Sequence, residues 1–475
     1  MDKLFKLKEN GTNVKTEVLA GVTTFMTMAY IVALNPNLLT GFGANGGQGL
    51  WNAVFLATVI SSGIGTICMA FLANKPFAMS SGMGLNSFFA VVVANIVGLT
   101  GASYLESYQA GMIIILVEGI VFIILSAYNI REKIVEAIPL GVRLAISPAI
   151  GLMLLNIGLG SNAGIYSETG GPFFVMRDFF GALTAKSAAD LMGSGYGPMV
   201  LTVVTMFVGL FLIVILDIKK VRGCVLIGML GASILYWICD FLFLGQNPFA
   251  SLQGASFLPP FQDLVENTFF KFNGAVFVKI GWFTVITLII TFCMIDMFDT
   301  IGTLVGTASR ANMIDEKGNM PKMKEALLSD AIGTCVGAVT GTSTITTFVE
   351  SASGVEAGGR TGLTALTTGL LFLACMFIAP LAAVIPAAAT SSALIYVGIV
   401  MLSGFKKVDL DDRFQLVPAA IMLIAMPISG SIGHAIGLGL ISYTVMKVCT
   451  GKAKDVSVVT YVISALFLVK FFLAV

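Results

Sequence analysis

TITTFVESASGVEAGGRTG, residues 344–362, is a run rich in Gly, Ser and Thr that carries Glu350 and Glu356 between two apolar stretches. Helix-breaking backbone at membrane depth is tolerated only where it is buried in protein or lines a cavity. A carboxylate at that depth persists where it faces a cavity, a partner or a substrate. Upstream, WFTVITLIITFCMIDMFDT (282–300) ends on two further acids, Asp296 and Asp299. Their i, i+3 spacing puts both on one helical face. A third segment, PFAMSSGMGLNSFFA (76–90), is again short and rich in Gly and Ser, with Asn86 as its notable polar side chain. These segments together point to a binding site near the middle of a membrane protein.

The composition agrees. The chain has 475 residues, of which 57% are hydrophobic and 11% charged, with a mean hydropathy of +0.94. Soluble domains carry roughly 25% charged residues, so most of this chain lies in lipid and no polar stretch is long enough for a separate soluble domain. A net charge of +1 and the lack of a basic patch interleaved with aromatics give no reason to expect a nucleic-acid partner. The seven cysteines form no CxxC pair and read as small buried hydrophobes. His434 is the single histidine, which excludes a multi-histidine metal site; it reads as a packed or capping residue. No cofactor is called for. The start, MDKLFKLKENGTNVKTE, is too charged for a cleaved signal peptide, so the first apolar run is expected to remain as a span.

A span needs about 20 mostly apolar residues. Candidates begin near Glu17, Trp51, Gly82, Gln109, Ile138, Pro198, Val221, Ala275, Leu327, Thr347, Thr361, Ala389, Phe414 and Ser429. Residues 456–475 read as a fifteenth span or, preferably, a helix lying in the interface. Basic residues orient this layout. With the N-terminus in the cytoplasm, all 27 Lys and Arg residues fall on the inner side except Arg177, Lys186, Lys271 and Lys279, with Lys470 unassigned. The expected location is the cell membrane.

The two halves also rhyme. IPLGVRLAISPAIGLMLLNIGL (138–159) resembles IPAAATSSALIYVGIVMLSGF (385–405): each opens on Ile-Pro, follows an apolar segment and precedes two more spans. An odd number of spans per half turns the copies upside down relative to each other. Inverted repeats build transporters whose site lies at the repeat interface on discontinuous helices.

At these residues the chain resembles a known family. TTFMTMAYIVALNP (23–36), GMGLNSFFA (82–90), DMFDTIGTLVG (296–306) and TSTITTFVESASGVEAGGRTGLTA (342–365) are similar to the AzgA-like purine permeases, a branch of the nucleobase–cation symporter-2 family. The likeness runs over nearly the whole chain, with four motifs in order. It implies an all-α polytopic membrane protein of fourteen spans in two inverted repeats of seven. Residues 1–137 and 275–384 would form a core domain, and residues 138–274 and 385–475 a gate domain. Spans three and ten would each carry a short strand before a half-helix, with substrate between them. Purine recognition would fall on Asp296, Glu350 and Asn86, and Asp299 matches a second span-eight acid. Related carriers often dimerise through the gate, so a homodimer is a further expectation.

The chemistry suits a purine. One carboxylate, Glu350, can accept N1–H and the neighbouring N2 amine of guanine through charge-assisted bonds. Asn86 both donates and accepts. Phe88 and Phe348 are candidates to stack on the base or to pack the core. Backbone amides around Gly84 and Ser351 are candidates to serve O6. Asp296 is the expected proton-coupling group, and Asp299 a second coupling group or a structural acid. Glu118 reads as a buried interhelical contact, and Glu356 with Arg360 as a local inner-side ion pair or gate contact. Exchangers of anions share this architecture, but acids in the site repel anions. An intramembrane aspartyl protease needs two carboxyls facing across a gap rather than adjacent on one helix. No GxxxxGK[ST] loop is present for an ATP-driven pump. The reading is proton-driven symport of a purine base.

Overall fold

A computed structural model of the chain describes residues 2–41, 45–128, 138–159, 196–310, 313, 320–429 and 432–473. Arg131, Lys133, Arg177, Lys186 and Lys317, used above to orient the chain, lie outside the described residues. The helices are α1 (Val14–Met28), α2 (Ile31–Leu39), α3 (Gly47–Cys68), α4 (Met83–Thr100), α5 (Tyr104–Ala127), α6 (Leu140–Ile157), α7 (Tyr196–Ile218), α8 (Cys224–Cys239), α9 (Trp282–Arg310), α10 (Met323–Thr340), α11 (Ser351–Glu356), α12 (Gly362–Ala374), α13 (Ala387–Leu402), α14 (Arg413–Ser429), α15 (Ile432–Cys449) and α16 (Val458–Leu473). Short helices at Asp2–Phe5, Phe261–Asn267, Val276–Ile280 and Ala379–Ala383 occupy connections and ends. Among the described residues, ten helices are long and apolar enough to cross a membrane. Helix α11 falls short because glycines interrupt it, and α10 because Ser, Thr, Gly and acids dilute its apolar residues.

Local sequence explains several boundaries. The Asn13 side chain accepts from the Thr16 amide and starts α1. Ser103 and Glu106 close a reciprocal capping box at the start of α5, satisfying two otherwise orphan amides. Gly341 ends α10 at φ +111°, a region open to glycine but strained for L side chains, and the chain turns there.

The chain then enters β2 (Ile345–Thr347), which pairs antiparallel with β1 (Met79–Ser81) in the register Met79–Thr347, Ser80–Thr346 and Ser81–Ile345. The first residue of each strand is held in the same way. The Thr66 hydroxyl of α3 accepts from the Met79 amide at 2.9 Å and donates to its carbonyl at 3.0 Å. The Thr334 hydroxyl of α10 accepts from the Ile345 amide at 3.3 Å and donates to its carbonyl at 3.1 Å. These exchanges satisfy backbone groups that a two-stranded ribbon leaves open, which buried structure requires.

The helices form two packing groups, and the ribbon contacts α3, α9 and α10 of one of them. In one, α10 packs on α3 and α5, α12 on α1 and α3, and α9 on α5. In the other, α6 packs on α13 and α14, α7 on α8 and α13, α14 on α15, and α15 on α16. They meet where α4 and α9 touch α6, and where α1 and α2 touch α8 and α13. Helices α6 and α13, the two Ile-Pro segments, cross at Gly151 and Gly398. Each glycine lies equally far along the chain from its own proline, Pro139 or Pro386. A Cβ on Gly151 would sit 2.6 Å from the Gly398 carbonyl oxygen, and one on Gly398 would sit 2.7 Å from that of Gly151. Only a glycine pair permits this crossing. Helix α16 packs against α15, where His434 meets the Phe471 ring edge-on at 5.5 Å.

Candidate functional site

The site grows from the β1–β2 ribbon, because each strand hands the chain to a helix that begins inside the protein. Asn86 lies in the first turn of α4 and is fully buried. Its amide nitrogen donates to the Asn35 side-chain oxygen of α2. Asn35 in turn donates to Thr58 at 2.8 Å and to Thr342 at 2.9 Å. These bonds fix the orientation of the Asn86 amide and leave its Oδ1 buried with no hydrogen-bond partner.

Glu350 sits between β2 and α11 and is half-buried. Its Oε1 accepts from the Tyr30 phenol at 2.9 Å, whereas Oε2 is buried without a hydrogen-bond partner. Next to it Val349 is 50% exposed, whereas Phe348 on its other side is buried, so accessible space lies beside the carboxylate. Tyr30 is fully buried at the break between α1 and α2. The sequence reading passed over it because it sits in a plainly apolar run.

Asp296, on α9, is fully buried. The Thr300 hydroxyl one turn on lies 3.0 Å from Asp296 Oδ1, 3.0 Å from Asp330 Oδ1 of α10 and 2.8 Å from the Thr346 hydroxyl of β2. Asp330 is a buried acid that the sequence reading missed; its signal was an acid inside the span beginning near Leu327. A hydroxyl has one proton to donate. Thr300 therefore donates to only one of the two acids at a time. Asp299 is half-buried, and a Cβ at Gly82 would lie 3.7 Å from its Oδ2. It is also within electrostatic reach of Asp330 and Glu350.

The remaining candidates are held in the protein's own packing. Phe88 is 2% exposed and its ring lies 4.7 Å from that of Phe292. Phe348 is 6% exposed in the same core. The Ser351 hydroxyl accepts from the Ala78 amide at 2.9 Å, and the Ser351 amide donates to the Phe348 carbonyl at 3.1 Å. Ser351 thus ties α11 to the chain entering β1. Glu118 accepts from the Thr344 hydroxyl at 3.1 Å, so it braces the approach to β2 from α5.

Arg360 departs from expectation. Its guanidinium donates to the carbonyls of Val355 and Gly359 at 2.6 and 2.7 Å, capping the end of α11 in place of an ion pair with Glu356. Carbonyls at a helix end lack intrahelical partners, and a nearby guanidinium supplies them. The Arg360 amide donates to Glu17, which also accepts from the Thr361 and Thr364 amides and the Thr364 hydroxyl. Glu17 is therefore a buried cap for α12 and not merely the start of the first span.

The chain matches the Permease family (Xan_ur_permease) over residues 15–429. The chain belongs to that family. It is 36% identical over 473 residues to the adenine permease AdeQ of Escherichia coli K12, covering 100% of this chain and 96% of that one. It is 36% identical over 476 residues to the guanine/hypoxanthine permease PbuO of Bacillus subtilis, covering 99% and 100%. The fold resembles the transmembrane domain of a cyanobacterial bicarbonate transporter, BicA, with a TM-score of 0.61 and 17% identity over 89% of this chain and 97% of that one. The protein is a mostly helical, multi-pass membrane permease, not an enzyme.

Proposed function

We propose that this permease imports purine bases by proton symport with alternating access, taking guanine and hypoxanthine and also adenine. The observation that carries the reading is a pair of buried acceptors, Asn86 Oδ1 and Glu350 Oε2, without partners on the two helices that leave the crossed strands. A buried acceptor left unpaired is costly, so a ligand that brings N–H donors gains that energy on binding. Purines bring such donors at N1 or N6 and in the imidazole ring. An anion brings negative charge to a site that already carries acids, so the anion-exchanger alternative is disfavoured despite its shared fold. The names of the relatives support the purine class. Glu350 Oε2 is assigned to a purine N–H, Asn86 to the opposite edge, and Phe88 and Phe348 to the walls behind.

Asp296 is assigned the coupled proton, with Asp299 beside it. Its place in a buried cluster with Thr300 and Asp330, where one hydroxyl proton faces two acids, supports the assignment. The equivalent clasps of Thr66 and Thr334 on the two strands, and the reciprocal Gly151–Gly398 crossing, support two inverted repeats of seven spans. The two packing groups are then the core domain, which carries the site, and the gate domain. The N-terminus is assigned to the cytoplasm of the cell membrane. The test is uptake of radiolabelled hypoxanthine by cells lacking their own purine carriers, with guanine, adenine, xanthine and uracil as competitors. Saturable uptake inhibited by purines but not by uracil supports the reading; no uptake by protein present in the membrane refutes it.

A further inference from the structure

Glu350 has two oxygens with different fates. Oε1 is taken by Tyr30, and Oε2 is unpaired. We propose that Tyr30 is a positioning and specificity-determining residue that aims Oε2 at the ligand and, by occupying Oε1, selects against a two-pronged grip on the base. The proposal rests on the purine reading of the site above.

The geometry around Tyr30 is built for this. The residue lies at the interruption between α1 and α2, where its phenol reaches a residue far away in sequence. Three residues earlier, the Thr27 hydroxyl approaches the Glu350 carbonyl at 3.5 Å. The same bend of span one therefore touches Glu350 at both its backbone and its side chain. On its other side Tyr30 is within electrostatic reach of Tyr396 on α13 and Cys224 on α8, so it sits where the two packing groups meet. A phenol donating to a carboxylate is a charge-assisted bond that fixes the plane of the acid.

The consequence concerns which bases are preferred. A ligand with one donor facing the acid, such as hypoxanthine with N1–H, is served by Oε2 alone. Guanine has N1–H and the N2 amine side by side, and its two donors match the two oxygens of one carboxylate. With Tyr30 present, one of the two lone pairs of the second oxygen is already engaged, and the N2 amine must compete with the phenol there. Removing only the phenol oxygen frees Oε1 for the N2 amine, while the ring that fills the bend remains.

The test is equilibrium binding of hypoxanthine and guanine to the purified full-length protein and its Tyr30→Phe variant, with Tyr30→Ala as a variant that also removes the ring. In Tyr30→Phe, hypoxanthine affinity should fall about tenfold because Oε2 is no longer aimed. Guanine should keep roughly its wild-type affinity, because one recovered charge-assisted bond offsets the lost aim, so the guanine-to-hypoxanthine affinity ratio should rise about tenfold. Tyr30→Ala should weaken both bases further while keeping the raised ratio. A role confined to packing predicts both bases weakened equally in both variants. An unchanged ratio in Tyr30→Phe, with wild-type protein binding both purines, overturns the proposal and leaves the purine reading intact. Wild-type protein that binds neither base overturns the purine reading, and this proposal with it.

Discussion

At the first crossover Thr66 clasps Met79, and the chain leaves β1 into α4, a helix of 18 residues carrying the neutral Asn86. At the second, Thr334 clasps Ile345, and the chain leaves β2 into α11, which ends after six residues and follows the acid Glu350. The strands are held alike, but the helices differ in length and charge. A long helix is positioned by its own packing. The short one is positioned by side chains from elsewhere: Tyr30 and Thr27 at its start, Arg360 at its end, and Glu17 behind Arg360. The proposed charged grip, Glu350, is therefore placed by groups on span one and by the turn into α12. The neutral grip is fixed by its own helix and by Asn35.

The largest effect that tests this contrast is on the acid. Glu350→Gln keeps the volume but removes the anion, and bonds to charged groups are worth about 1.5–3 kcal/mol, roughly ten- to a hundredfold in affinity. Purine binding by a normally expressed variant should fall by that factor. Near-wild-type affinity would take Glu350 out of the site and end the contrast.

The two clasps offer a paired test. Thr66→Val and Thr334→Val each strand a buried amide and carbonyl, and each should lower stability by about 1–3 kcal/mol in thermal unfolding of detergent-solubilised protein. If α11 depends on its surroundings more than α4 does, uptake should suffer more in Thr334→Val at matched stability loss. Equal uptake in the two variants would show that the crossovers are functionally alike.

The smallest effect is expected at Asn86. Its proposed bond to the ligand is neutral, worth about 0.5–1.5 kcal/mol, so Asn86→Ala should raise the purine Kd by up to about tenfold. Any larger loss, or a collapse of expression, would mean that the bond to Asn35 matters more than the bond to ligand.

Much of this was legible in the chain. Glycine-broken runs inside apolar stretches, acids at membrane depth and the recurring Ile-Pro segments point to a multi-pass permease, and four ordered motifs give its family. The individual partners were not legible. Tyr30 looks like one more apolar-run aromatic, and nothing in its neighbourhood says that its phenol reaches a residue on another span. Asp330 and Glu17 carry a visible signal, a charge within or at the edge of a span, but their roles depend on which helix packs beside them. The Glu356–Arg360 pairing failed for a related reason. Spacing along the chain places the two charges close together, but the carbonyls of Val355 and Gly359, at and just past the end of a six-residue helix, take the guanidinium.

The central claim is that a purine and a proton move together, with the proton held at Asp296. It is tested most directly by hypoxanthine uptake into vesicles reconstituted with wild-type protein or Asp296→Asn, under an imposed inward proton gradient or an imposed sodium gradient. Protonation removes a buried charge, and a ligand that binds together with the proton shifts the balance between outward and inward states. The account predicts that wild-type vesicles accumulate hypoxanthine under the proton gradient but not under sodium alone, and that Asp296→Asn loses this accumulation. Accumulation that follows sodium and ignores the proton gradient, or that survives in Asp296→Asn, would contradict it.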